Sequence, residues 1–333
     1  MKQKMNVFLL VLFLGNVVSL SAKTLRVNAD IEPDPAKGIY SSLETAHNAA
    51  SDGDVLLVDG AVNAYEGFTC TKRLTIIGPG YDLLENNMPQ RNPNEAILYG
   101  RMLFAKGSEG SVISGVRLNN TTSAIQVGTD DITVRQCKMY RITVFTGVTS
   151  ALIAQNDIMD VSITNNVNVN GVIFKNNIVR GGFYFNSSNN YSIVFAHVEH
   201  NVFLGRVVVT ADNFRNNIIV SNSADVNITS TNIRNNLSAR LADGATNIAF
   251  DENSLFVGLT DANGSPDGQY RIKPDSPYRQ AGSGGTEPGI FGGDMPYFIS
   301  GLSGIPSIYG LQSEATTTLE KGLHVEVKAK TNP

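Results

Sequence analysis

Five stretches of the chain, 172–179, 195–203, 214–220, 233–237 and 250–255, repeat one pattern: an apolar residue, a polar residue, then an asparagine three places after the first. Aligned on the apolar position, the pattern extends upstream through Ile113, Val134, Ala154, Phe174, Val198, Phe214, Ile233 and Phe250, in steps of 21, 20, 20, 24, 16, 19 and 17 residues. A period near 20 residues holds three short strands and three turns, whereas a βαβ unit needs about 30 residues. Repetition at this period predicts a β-solenoid, in which each coil contacts only its neighbours.

The column three places after the anchor reads Val116, Cys137, Asp157, Asn177, Asn201, Asn217, Asn236 and Asn253. Five consecutive asparagines predict a stacked amide ladder, each side chain donating to one coil and accepting from another. Asparagine also tolerates the left-handed backbone of a tight corner. The column just after the anchor should face water; it reads Ser114, Arg135, Gln155, Lys175, Glu199, Arg215, Arg234 and Asp251. Coils rise about 4.8 Å apart, so Glu199 is expected between Lys175 and Arg215, and Asp251 beside Arg234.

Outside the repeat the pattern changes. Ser41 and Glu44 form a capping box ahead of Leu43, Ala46 and Ala50, predicting a short helix. The 24-residue step holds an aromatic insertion, 183–191, with Tyr184 and Tyr191 among polar loop residues. Residues 284–306 are rich in Gly and Pro and predict an irregular tail. In 322–330, Leu323, Val325, Val327 and Ala329 alternate with His324, Glu326, Lys328 and Lys330, as in a half-buried strand.

Composition narrows the class. A net charge of −4 argues against nucleic acid as a partner. Lys2 and Lys4, the apolar run 7–14 and small residues at Ser19, Ser21 and Ala22 read as a signal peptide over 1–22. The expected product is an exported chain, secreted, periplasmic or on the cell surface, without a membrane span in its mature part. The only cysteines, Cys70 and Cys137, fall about three coils apart and should be buried free thiols.

The helix with Ala46, Ala49 and Ala50, then Gly53-Asp54, a Val-rich strand, Tyr65-Glu66-Gly67 and 74–78 resemble the first coils of right-handed parallel β-helix proteins of the pectate-lyase-like superfamily. The segments 270–278 and 289–301 are similar to the closing coil and tail of secreted bacterial members of uncharacterised function. The resemblance implies an all-β, right-handed parallel β-helix over 23–282, of ten to twelve coils, with an N-terminal capping helix. An irregular tail, 283–333, would pack on the solenoid or cap it.

The resemblance implies a compartment rather than a reaction. Uronate lyase chemistry needs a basic residue and a cation held by clustered carboxylates. Within the repeat only Glu109 and Asp130 share a column on neighbouring coils, so Ca²⁺ has no supporting acidic cluster, and no other metal or cofactor is expected. The acids Asp30, Glu32 and Asp34 read as a solvated Pro-rich loop. Asp130-Asp131 and Arg271-Ile272-Lys273 match the pectin-hydrolase motifs in letters only, since that branch's Gly-His-Gly and Asn-Thr-Asp are absent.

His197, Glu199 and His200 are the one cluster of catalytic residue types. Arg135, Lys175, Arg215 and Arg234, with Tyr184 and Tyr191, form the candidate ligand surface, to which Arg180 and Arg206 add. The leading expectation is an exported, non-catalytic, surface-associated protein with a polysaccharide as its partner. The alternatives are a lyase or hydrolase of acidic glycans, and a structural part of an extracellular assembly.

Overall fold

The computed structural model describes residues 22–86, 92–145, 147–163, 169–184, 193–221, 226–243, 245–261, 265–302, 304, 306–314, 316, 318 and 320–331. Residues 1–21, which hold all but the last residue of the expected signal peptide, and Tyr191 lie outside the described residues. The chain winds into an all-β parallel solenoid whose coils present three faces. The first face stacks ten strands, from Thr24–Val27 and Val55–Val58 through to the ends of Arg206–Arg215 and Val226–Arg234. The solenoid has about seven turns, fewer than the ten to twelve coils expected. The first winding spends its residues on a helix, and the last winding gives the second face only single bridges at Leu237 and Ile248.

The observed register corrects the alignment at one coil. Val134 pairs with Ile153, and Ile153 with Phe174, so the third anchor is Ile153 rather than Ala154. The column then reads Cys137, Asn156, Asn177, Asn201, Asn217 and Asn236. All five asparagines are fully buried. Each amide Nδ2 donates to the next rung's Oδ1 at 2.9–3.1 Å, and the backbone N–H of the same residue donates to that same oxygen. The ladder closes on Asn247, whose Oδ1 accepts from Asn236. Asn253 is not a rung. It is exposed in the short helix Glu252–Leu255 and bonds to Asp251, the cap of that helix, so Asp251 does not serve as a partner of Arg234.

The left-handed corner lies one residue before the ladder. Gly115, Gln136, Gln155, Asn176, His200, Asn216 and Asn235 all have φ between 52° and 70°. This column turns each coil from the first face to the second. Gln155 therefore belongs to the corner, and Ala154 takes its place in the outward column.

Inside, apolar residues stack coil on coil. Phe174, Phe183, Phe195, Phe203 and Phe214 are buried with ring centroids 4.7–6.3 Å apart. Such aromatic neighbours contribute about 0.5–1.5 kcal/mol per pair beyond area burial. At the N-terminal end the helix Leu43–Ala49 covers the first coil with Leu43 and Ala46. Its N-cap is Ser42, which accepts from the Thr45 N–H, so the cap sits one residue later than the Ser41 box. Lys72 Nζ donates to the carbonyls of His47, Asn48 and Ala50 and closes the helix C-terminus. Cys70 and Cys137 are buried free thiols, and burial pushes the Cys137 thiol up to about 12.

Beyond the last coil the chain doubles back as a strap, residues 281–302, running over the left-handed corner towards the N-terminal end. Asn235 donates to the Ala281 carbonyl, and Asn176 to those of Ile290 and Gly292. Gln155 donates to the Pro296 carbonyl, and the Ser300 carbonyl accepts from Tyr81 N–H. Ile290 and Tyr297 join Ile178, Val202, Ile218, Leu237, Leu255, Tyr270 and Ile272 in a second apolar cluster outside the solenoid. The final alternating stretch is not half-buried. Val325–Lys330 pairs only with Ser307–Ser313, and Leu323, Val325 and Val327 are exposed.

Candidate functional site

The first-face outward column brings together part of the expected surface. Glu199 is nearly buried, and its carboxylate receives His197 Nδ1 and Arg215 Nε, each at 2.8 Å. Lys175 Nζ lies 3.6 Å from it on the preceding coil. The strap contributes Asp294, whose carboxylate is 3.2 Å from Lys175 Nζ. Burial pushes the Glu199 carboxyl up, but the His197 and Arg215 hydrogen bonds and the Arg215 and Lys175 charges outweigh it and hold it below the usual carboxylate range. A carboxylate held ionised by three partners is a poor general acid, which must carry a proton near working pH.

His200 does not share this cluster. It sits in the left-handed corner at φ 55°, buried beneath the strap. Arg135 and Arg234 are exposed at opposite ends of the column, five coils or about 24 Å apart. Lys175 and Arg215 between them are already partnered, so the column is not a continuous basic stripe.

The second face holds a charged row that the misaligned coil concealed. Arg117, Lys138 and Asp157 stack on successive coils. Arg180 grips Asp157 in two parallel bonds of 2.6 and 2.8 Å. Asp82, from the loop after Gly80, bonds to Lys138 at 2.6 Å and to Arg117 at 3.4 Å. The Tyr270 hydroxyl, 3.3 Å from Arg180, helps cover the row. Tyr81 and Tyr297 are hydrogen-bonded side by side, and burial pushes both phenols well above their usual value. Asp82 fastens its loop to the solenoid, and the Tyr81–Tyr297 bond ties that loop to the strap.

The third face has a different character. Arg101, Ala124, Arg141, Asp160, Gly182 and Arg206 form one outward column. Arg206 stacks on Tyr184 at 3.6 Å, and Arg141 lies 5.5 Å from the Tyr140 ring and 3.7 Å from Asp160. Tyr99 is exposed beside Arg101. Only Tyr184 and Arg206 of this surface stood out in the sequence, because the arginines and tyrosines lie off the asparagine register.

The acids weighed as metal ligands are engaged separately. Asp30 accepts from the Val62 and Asn63 N–H groups, Asp34 pairs with Lys37, and Asp130 accepts from the Thr149 and Ser150 N–H groups. Glu109 accepts from Thr129 and the Gly107 N–H. Among the described residues no group of three or more His, Cys, Asp or Glu is arranged to hold a metal ion. No described helix is long and apolar enough to cross a membrane. No family model, curated protein or solved structure matches the chain.

Proposed function

We propose that the protein is an exported, surface-associated β-solenoid that binds a carbohydrate chain along its third face and does not cleave it. The reading is carried by the third-face column that holds Arg101, Arg141 and Arg206, with Tyr99 and Tyr140 at its edge and Tyr184 stacked under Arg206. Aromatic faces stack on sugar rings, and guanidinium groups offer planar hydrogen-bonding forks to carboxylates. Lys175 and Arg215 of the first face and Arg117, Lys138 and Arg180 of the second are taken up by Glu199, Asp294, Asp82 and Asp157, whereas Arg101 on the third face is exposed. The ionised, fully engaged Glu199 supports the non-catalytic reading. The Lys2-to-Ala22 leader pattern supports export, and the likeness to pectate-lyase-like β-helices supports a glycan ligand.

Polygalacturonate, with a neutral glucan as control, tests this by affinity electrophoresis. The native chain is expected to be retarded by the uronate polymer, and Arg206→Ala and Tyr184→Ala each to weaken binding by ~3–10-fold. Release of unsaturated oligosaccharides would overturn the reading in favour of a lyase. Absence of both binding and turnover would leave an assembly component.

A further inference from the structure

The strap's docking on the corner column buries a titratable side chain, His200. Asn216 holds the strap twice, since its Oδ1 accepts from Ser283 N–H at 2.8 Å and its carbonyl accepts from Gly289 N–H at 2.8 Å. The first bond fixes the amide orientation, so Asn216 Nδ2 faces His200 Nε2 at 3.0 Å. An amide nitrogen only donates, so Nε2 must accept and the ring must be neutral. His200 Nδ1 has no hydrogen-bond partner and is buried under the strap backbone. The fit there is close. A Cβ at Gly292 would come within 3.0 Å of Nδ1, and one at Gly293 within 2.9 Å of the ring.

A proton on Nε2 would set N–H against N–H. Relief requires Asn216 to turn its amide over, which removes the acceptor of Ser283 N–H, or the strap to lift from the ring. We propose that His200 is a proton-operated latch, which holds the strap 281–302 on the solenoid when neutral and releases it when protonated.

The charges facing the ring come from each packed element. They are Glu199 on its own strand, Lys175 on the preceding coil and Asp294 on the strap. Arg215, on the following coil, is turned onto Glu199. Burial lowers the His200 pKa, helped by Lys175, and Glu199, the Gly289 backbone and Asp294 only partly offset it. A neutral histidine whose folded pKa is lowered contributes docking stability that is full above the unfolded value, about 6.5, and is lost as pH falls below it. Two acids in and beside the strap run the other way. Asp267, which accepts from Ser300 N–H, and Glu287, beside Arg279, both have pKa values raised by burial, so acid favours their folded state. The latch is independent of the carbohydrate reading.

Hydrogen exchange on the full exported chain, corrected for the intrinsic effect of pH, tests it. Between about pH 7.5 and about pH 5, protection of the 281–302 amides in the native chain is expected to fall about tenfold, while strand Ile132–Arg135 keeps its protection. His200→Gln should abolish the difference. Gln stands in this column at 136 and 155 with the same positive φ, so the backbone accepts it. If that variant folds poorly, His200→Asn serves, because Asn occupies the column at 176, 216 and 235. Unchanged strap protection in the native chain, or an equal loss in the non-titrating variant, would overturn the proposal.

Discussion

At the residue scale the asparagine column and the corner column divide the labour of one turn. The corner residue takes the left-handed backbone, and the next residue turns its amide inward to bind the coils above and below. Asn217 shows how much one side chain carries. Its Nδ2 donates to Asn236 and to the Val198 carbonyl, while its Oδ1 accepts the N–H and Nδ2 of Asn201. Asn217→Ala would strand several buried groups, each costing about 1–3 kcal/mol. Urea denaturation of that variant is expected to show a loss of at least ~3 kcal/mol. Asn253→Ala, in an exposed helix, should stay within about 0.5 kcal/mol of the native chain. Equal losses at the two positions would refute the observed ladder.

At the scale of elements, strap and hairpin are opposites. The strap has almost no regular structure, yet the solenoid's corner side chains satisfy its backbone. Its glycines are what allow the approach. A Cβ at Gly292 would meet the Glu287 carbonyl at 1.7 Å as well as the His200 ring. Gly292→Ala is therefore expected to raise the rate of proteolysis within 281–302 at least severalfold at neutral pH, while first-face strands stay resistant. An unchanged cleavage pattern would mean that the strap's seat tolerates a methyl group. The hairpin has regular strands, but its apolar side chains are exposed, and a lone two-stranded hairpin is marginal in water. Its alternation matched a half-buried strand. The missing half is the covering layer, which no local pattern encodes.

For the whole molecule, acid should act first through the histidines. His47, at the N-terminal helix, accepts from Thr71 N–H and, like His200, has its pKa lowered by burial. Both contributions are full above about pH 6.5 and fade below it. Glu199, with its lowered pKa, contributes stability that fades only below the unfolded carboxylate value, about 4.3. Chemical denaturation midpoints are thus expected to decline from about pH 6.5 downward, before the carboxylate range. The double variant His47→Gln, His200→Gln should flatten that early decline. A native chain with a constant midpoint down to about pH 5 would contradict this assignment.

The repeat period, the anchors Phe174 and Phe214 and most of the asparagine column could be read directly, because a coil buries the same positions each time it passes, whereas Phe183, read as part of an aromatic insertion, lies in the core stack. Periodicity also placed Glu199 between Lys175 and Arg215, since those residues follow the anchor in consecutive coils. It misplaced Ala154 by one residue because two apolar neighbours, Ile153 and Ala154, both fit an anchor, and only hydrogen-bonded pairing chooses between them. That slip hid Asn156 and the Arg117–Lys138–Asp157 row. The strap, by contrast, depended wholly on tertiary structure. Asp294 meets Lys175 across 119 residues, and Ser300 meets Tyr81 across a longer span still. Sequence alone determined how each coil resembles the last, because stacking is local and repeated. Which face is strapped, which charges are thereby used up, and which arginines and tyrosines are left facing water were settled only when the chain's end folded back over its middle.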